Sequence, residues 1–180
     1  MKKPLSMISS RQVRISKPAI YHHFKNKDEL FHGVLSLFFE EMGKWSKSRF
    51  ESCKTLRELL TAFFQFPISC REVADTLFGK NKKNASYSFL ELLLTASKRD
   101  PGIQKRIEQG FLMTRKFLKD GLVKAQKRGE IRGDIDCQML AFQIHALIEG
   151  TGVISYLDKS VDMETIGEKM FNNVWKMLKK

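Results

Sequence analysis

Residues 15–31 read ISKPAIYHHFKNKDELF. Ser16 is a helix N-cap, and Lys17, Pro18 and Ala19 make a first turn in which proline is tolerated because those N–H groups have no partner within a helix. The helix is short, ending near Phe24. Ile20 and Phe24 stand four apart and share the face that anchors to a core, which leaves Lys17, Tyr21 and His22 to point elsewhere. A basic first turn with small residues beside it lets the backbone approach base edges, while donors on either side reach phosphates. Asn26 then caps the next helix with Glu29 three residues on, the capping-box spacing with asparagine in the cap position.

Working outward, charge supports the same direction. The chain carries a net charge of +12, and its first 27 residues hold Lys2, Lys3, Arg11, Arg14, Lys17, Lys25 and Lys27 with no acidic residue. An excess concentrated at one end suits a polyanion, nucleic acid or an anionic membrane, or is a solvated basic tail. No stretch approaches the roughly 20 apolar residues of a membrane span, and the N-terminus has no hydrophobic core of a secretory signal. The three cysteines, Cys53, Cys70 and Cys137, are widely spread with no CxxC pair, which fits a reduced, cytoplasmic protein and gives no zinc site. His22 and His23, adjacent on a helix, point in different directions and do not share a metal.

The remainder reads as helix throughout, with 3.6-residue periodicity and no sustained alternation. A helix over 26–50 carries Leu30, Phe31, Val34, Phe38, Met42 and Trp45 on one stripe. Thr55 and Glu58 repeat the capping spacing for a second helix, which Pro67 is expected to end or kink. GKNKKN at 79–84 reads as a loop. An apolar helix with Phe89, Leu90, Leu93 and Leu94 breaks at Asp100-Pro101, where Asp100 caps and Pro101 takes the first position of a helix running to about 127. RGEIRGDID at 128–136 is a connector, and helices over 137–157 and 162–178 close the chain. These last two are apolar enough that they either bury within the monomer or pair with a second copy. The expected organisation is a basic region over 1–26 and a helical body over 27–180.

The motif at 15–31 resembles the recognition helix and following helix of the TetR family of transcriptional regulators: Ser-Lys, a small or proline residue, a hydrophobic-Tyr pair, His-Phe, then Lys-x-Lys-x-Glu-Leu-Phe. GEIRGDID, before a C-terminal hydrophobic helix, is similar to that family's layout. The resemblance implies an all-α fold, a partial helix-turn-helix head followed by a ligand-binding and dimerisation body. It implies that Ser16 caps the helix and touches phosphate, that Lys17, Pro18 and Ala19 meet bases or the adjacent backbone, and that Tyr21, His22 and His23 make phosphate and groove contacts. Lys27 matches a phosphate-binding lysine at a helix N-terminus, where the dipole favours the same anion. Tyr21 has the alternative of simply packing, and Lys25 that of a solvated charge. The family's head has two helices before the one at Ser16, and only 15 residues precede it here. The first helix is therefore expected to be missing, and the competing expectation is that the chain as given binds DNA poorly or non-specifically.

The resemblance further implies a homodimer through the last two helices, double-stranded DNA with a palindromic operator as partner, and a small apolar inducer bound in the body, with no cofactor and no metal. Phe63, Phe89, Phe111, Met113 and Phe117 are candidate pocket residues, with a plain hydrophobic core as the alternative for each. His145, four residues before Glu149 on an apolar helix, is a polar pocket group or half of an interface pair. Enzymatic signatures are missing: no Gly-rich phosphate loop, no GxSxG and no HExxH. The expectation is a ligand-released repressor. The runner-up is a dimeric ligand-binding protein whose head binds DNA poorly or not at all, and a third reading is a basic helical protein on anionic membranes.

Overall fold

A computed structural model describes residues 24–78, 89–158 and 160–179, with the side chains of 27, 28, 74–78, 89–92 and 156 outside that description. Six helices account for the described chain, and no strand occurs among the described residues: α1 (Lys27–Glu51), α2 (Leu56–Phe78), α3 (Phe89–Arg99), α4 (Pro101–Lys127), α5 (Cys137–Leu157) and α6 (Met163–Leu178). The all-α expectation holds. No helix among the described residues is long and apolar enough to cross a membrane. The loop expected at 79–84 lies outside the described residues.

The helix starts follow from side-chain caps. Asn26 Oδ1 accepts the Glu29 N–H at 2.8 Å, and the Glu29 carboxylate accepts the N–H of Lys25 at 2.6 Å, one residue earlier than a full capping box. Thr55 and Glu58 complete the box, Glu58 N–H to Thr55 Oγ1 at 3.2 Å and Thr55 N–H to Glu58 Oε2 at 3.3 Å. The backbone N–H of Lys54, 2.7 Å from Glu58 Oε2, and then that of Thr55 hold the Glu58 carboxyl below its ordinary range. Asp100 accepts the Gly102 N–H at 2.6 Å with Pro101 at the first helical position. Asp136 and Asp162 cap α5 and α6 in the same way.

Pro67 does not end its helix. α2 runs from Leu56 through Pro67 to Phe78, although the ring removes the N–H that would reach the Phe63 carbonyl. The apolar residues before it supply the compensation: Leu59, Leu60, Ala62, Phe63 and Phe64 are all buried.

The chain forms two compact units, residues 1–39 and 40–180. In the first, Leu35 and Phe38 are buried, and the Phe24 ring lies over Gly33, 3.0 Å from where a Cβ would stand. In the second, α2 packs on α6 and α4 on α5, around Leu56, Leu60, Phe63, Leu118, Leu122 and Ile144. α4 ends in a Schellman turn, with Gly129 at φ 72° and the Glu130 N–H returning to the Ala125 carbonyl at 2.9 Å. The connector is stapled by the Gln126 side chain, which donates to the carbonyls of Arg132, Gly133 and Ile135. The Arg132 N–H also donates to the Leu178 carbonyl at the end of α6.

Two glycines of α4 test the packing. A Cβ at Gly121 would stand 2.2 Å from Leu59 Cδ2, whereas one at Gly110 would meet nothing within 4 Å. Gly121→Ala is expected to cost about 1–3 kcal/mol by overpacking, and Gly110→Ala to gain about 0.5–1 kcal/mol from helix propensity. Urea midpoints check both, and a stabilised Gly121→Ala would show that α2 and α4 do not approach this closely.

Candidate functional site

Two regions hold the residues singled out by sequence. In the basic region, Ser16, Lys17, Pro18, Ala19, Tyr21, His22 and His23 lie outside the described residues. What the structure does describe is their C-terminal anchor. Phe24 is half-buried against Gly33, Asn26 caps α1, and Lys27 is its first residue, with a side chain outside the description. The N-terminus of α1 thus follows directly on the basic segment, and its unpaired N–H groups favour an anion.

In the body, the six candidate pocket residues fall in different places. Phe63 is 1% exposed and stacks on Phe50, with ring centroids 4.1 Å apart and planes 19° from parallel. Phe117 is half-buried and lies against the same Phe50 ring at 5.8 Å. Trp45 and Phe66 complete this aromatic cluster. Phe111 and His145 come together elsewhere, ring edge to ring face at 4.8 Å. Met113 is exposed and joins neither group. The Phe89 side chain lies outside the described residues.

His145 is the one buried polar side chain of the described body, 5% exposed. Its Nε2 lies 3.3 Å from Glu149 Oε1, and its Nδ1 faces the Arg115 guanidinium at 3.5 Å. Arginine only donates, so Nδ1 accepts and the proton sits on Nε2, directed at the carboxylate. The result is a row, Arg115–His145–Glu149, that links α4 to α5. On α2, burial pushes the Cys70 thiol up, and the charge of the Glu149 carboxylate pushes it further. Sequence reading singled out His145 with Glu149 from their spacing. It missed Arg115, whose partner is 30 residues away and leaves no local signal.

One turn from this row, α2, α5 and α6 enclose a small cleft lined by Phe64, Pro67, Ile148, Thr151, Met163, Gly167 and Met170. The space open to a water centre is about 10 Å³, room for about one water. None of the six candidate pocket residues lines it. No cluster of three or more His, Cys, Asp or Glu among the described residues could hold a metal ion.

α5 is apolar on two sides. Ala141, Ile144 and Ile148 are buried, while Met139, Phe142, Leu147, Val153, Ile154 and Leu157 are exposed, Leu157 at 75%. On α6, Met177 is exposed as well. The helix is thus apolar on its buried face and on its exposed one.

Comparisons with known proteins address both regions. The family model described as bacterial regulatory proteins, tetR family, matches residues 10–34. The model described as the tetracyclin repressor-like C-terminal domain matches residues 89–166. Together they take in more than half of the chain. Among solved structures, a transcriptional regulator of the TetR family from Cytophaga hutchinsonii superposes with a TM-score of 0.58 at 19% identity, over 91% of this chain and 78% of that one. A protein with unknown function from Rhodococcus sp. RHA1 gives a TM-score of 0.50 at 16% identity, over 93% and 80% of the two chains. At these identities the likeness is one of fold. No curated protein matches the sequence.

Proposed function

Because this chain belongs to the TetR family of bacterial regulatory proteins, we propose that it is a cytoplasmic, homodimeric DNA-binding regulator that represses transcription until a small apolar ligand releases it. The observation that carries the reading is the overlap of the head model, residues 10–34, with the stretch that is basic and free of acidic residues up to Lys27. In this reading residues 1–26 form the DNA-binding region and 27–180 the ligand-binding and dimerisation body. Ser16, Lys17, Tyr21, His22, His23 and Lys27 meet phosphates and the groove, and Pro18 and Ala19 let the backbone close on base edges. The exposed apolar face of α5, with α6, pairs with a second copy. Two heads then meet half-sites one helical turn apart, about 34–36 Å. A ligand that prefers a different head separation from the one DNA prefers lowers affinity for DNA by linkage. Nothing in this scheme needs a catalytic group, and the chain acts as a binding protein, not an enzyme.

The test is a selection of bound duplexes from random DNA by the full chain at physiological salt. The expected result is an enriched palindrome, with Lys17→Ala weakening it about tenfold and flattening the salt dependence by about one phosphate contact. Random sequence from an intact dimer would overturn the repressor reading and leave a ligand-binding dimer that binds DNA poorly.

A further inference from the structure

Gly33 stands in the second turn of α1, where a glycine weakens a helix that an alanine would strengthen. The place its Cβ would take is filled by another residue. The Phe24 ring lies there, with Cε1 3.0 Å and Cζ 3.5 Å from the position of the missing atom. Carbon atoms rest about 3.5–4.0 Å apart, so a methyl group at 33 would push the ring out by about 0.5 Å. Gly43, further along the same helix, has nothing within 4 Å of such an atom. Of the two glycines of α1, the close approach therefore belongs to Gly33.

Two hydrogen bonds tie the neighbouring chain to the same helix. The Lys25 N–H donates to the Glu29 carboxylate at 2.6 Å, and the Glu29 N–H donates to Asn26 Oδ1 at 2.8 Å. Glu29 and Gly33 are four apart and so lie one above the other on a single face of α1. The Phe24 ring folds back along that face, past the cap at Asn26, instead of leading away from the helix end. Phe24 directly follows Tyr21, His22 and His23 in the sequence. Whatever moves its backbone moves the point from which those residues are hung.

We propose that Gly33 is a positioning residue for DNA recognition: its bare backbone seats the Phe24 ring and so fixes where the basic segment joins α1. The inference rests on the reading of residues 1–26 as the DNA-binding region, and it adds a residue outside the proposed contacts. Hydrogen bonds to base edges need donor and acceptor within about 2.7–3.2 Å of each other. A displacement of about 0.5 Å, the gap between 3.0 Å and ordinary carbon contact, exhausts that window. Attraction to phosphates falls off with distance far more gently. Disturbing the seat therefore costs sequence selectivity and spares non-specific binding. Helix propensity acts in the opposite direction, because alanine favours α1.

The experiment measures binding of the full chain to a duplex enriched in the selection from random DNA, and to a scrambled duplex of the same composition. In Gly33→Ala the affinity for the enriched duplex should fall at least about tenfold, the worth of one good base contact. Affinity for the scrambled duplex and its salt dependence should stay as in the parent, and the thermal midpoint should not fall. Gly43→Ala, on the same helix, should bind both duplexes as the parent does. Leucine lacks the ring atom that meets the new methyl group. Phe24→Leu combined with Gly33→Ala should therefore bind the enriched duplex more tightly than Gly33→Ala alone. Circular dichroism establishes that each variant is folded. Parent-like binding by Gly33→Ala, an equal loss on both duplexes, a lowered thermal midpoint, or no recovery in the double variant would each overturn the proposal. A parent that enriches no duplex loses the regulatory reading, and this role goes with it. A parent that enriches one, with Gly33→Ala matching it, loses only the inference.

Discussion

Phe63→Ala is expected to destabilise the body by about 3–5 kcal/mol, the range for removing a fully buried aromatic ring. Phe63 is 1% exposed and stacked on Phe50 at 4.1 Å, and Phe50 in turn meets Trp45, Phe66 and Phe117. Deleting the ring empties the centre of this cluster. Leu60, Leu118 and Leu122 are themselves fully buried and are fixed by their own neighbours, so the void closes only in part. The site is sensitive for a second reason. Pro67 leaves the Phe63 carbonyl without its helical donor, so this turn of α2 depends on side-chain packing more than an ordinary turn does. Against a total stability of about 5–15 kcal/mol for a domain, the loss is about a fifth or more. The denaturation midpoint should fall with the m-value unchanged. Met113→Ala, at an exposed position of α4, should stay within about 0.5 kcal/mol. A loss under about 1 kcal/mol at Phe63 would mean that the ring is not core. The alternative role, a pocket wall, predicts the opposite balance, with ligand affinity falling more than stability.

Much of the fold was legible because this sequence marks its helix ends with chemistry. Asp100-Pro101 predicts the start of α4, and the apolar periods over 137–157 and 162–178 match α5 and α6 with Asp162 as the cap of the latter. Of the two outcomes expected at Pro67, an end or a kink, the helix does not end there, because proline's cost is local while the burial of Phe63 and Phe64 that outweighs it is tertiary. The body's candidate ligand residues were harder for a geometric reason. Phe111 and Met113 stand two apart on one helix, about 200° around its axis, so aromatic and methionine content alone could not say which of them face a common space. Phe117 proved to share a cluster with Phe63 through Phe50, a residue whose own position gave no hint of it. The row through Arg115 was invisible for the same reason: periodicity assigns a residue to a face and is silent about what that face meets. For the head, residues 16–23 lie outside the described structure, and the reading there rests on the motif and on the family model that matches it.

The second large effect concerns the outer face of α5. Phe142→Asp with Ile154→Asp is expected to convert the proposed homodimer into monomers of 20.9 kDa. Both positions are more than half exposed in the protomer, 57% and 55%, so neither change removes a contact of the body's own core. In a two-fold interface each substitution occurs twice, and four carboxylates would enter a patch lined by Met139, Leu147, Val153 and Leu157. Each buried, unpaired charge costs several kcal/mol. The dissociation constant should therefore rise by at least about 1,000-fold, which is roughly 4 kcal/mol. Sedimentation equilibrium across a concentration series reads this directly, and circular dichroism should show an unchanged helix content. Leu94→Asp and Leu112→Asp supply the control: both side chains are exposed and apolar, on α3 and α4, and neither should alter the mass. The two outcomes separate a specific face from general stickiness. If every exposed apolar position weakened association alike, the contact would be unspecific, whereas loss confined to α5 assigns the pairing surface to the helix that is apolar on both sides. Operator binding should follow, since a monomer carries one head and forfeits the linkage of two half-sites that makes each contact reinforce the other.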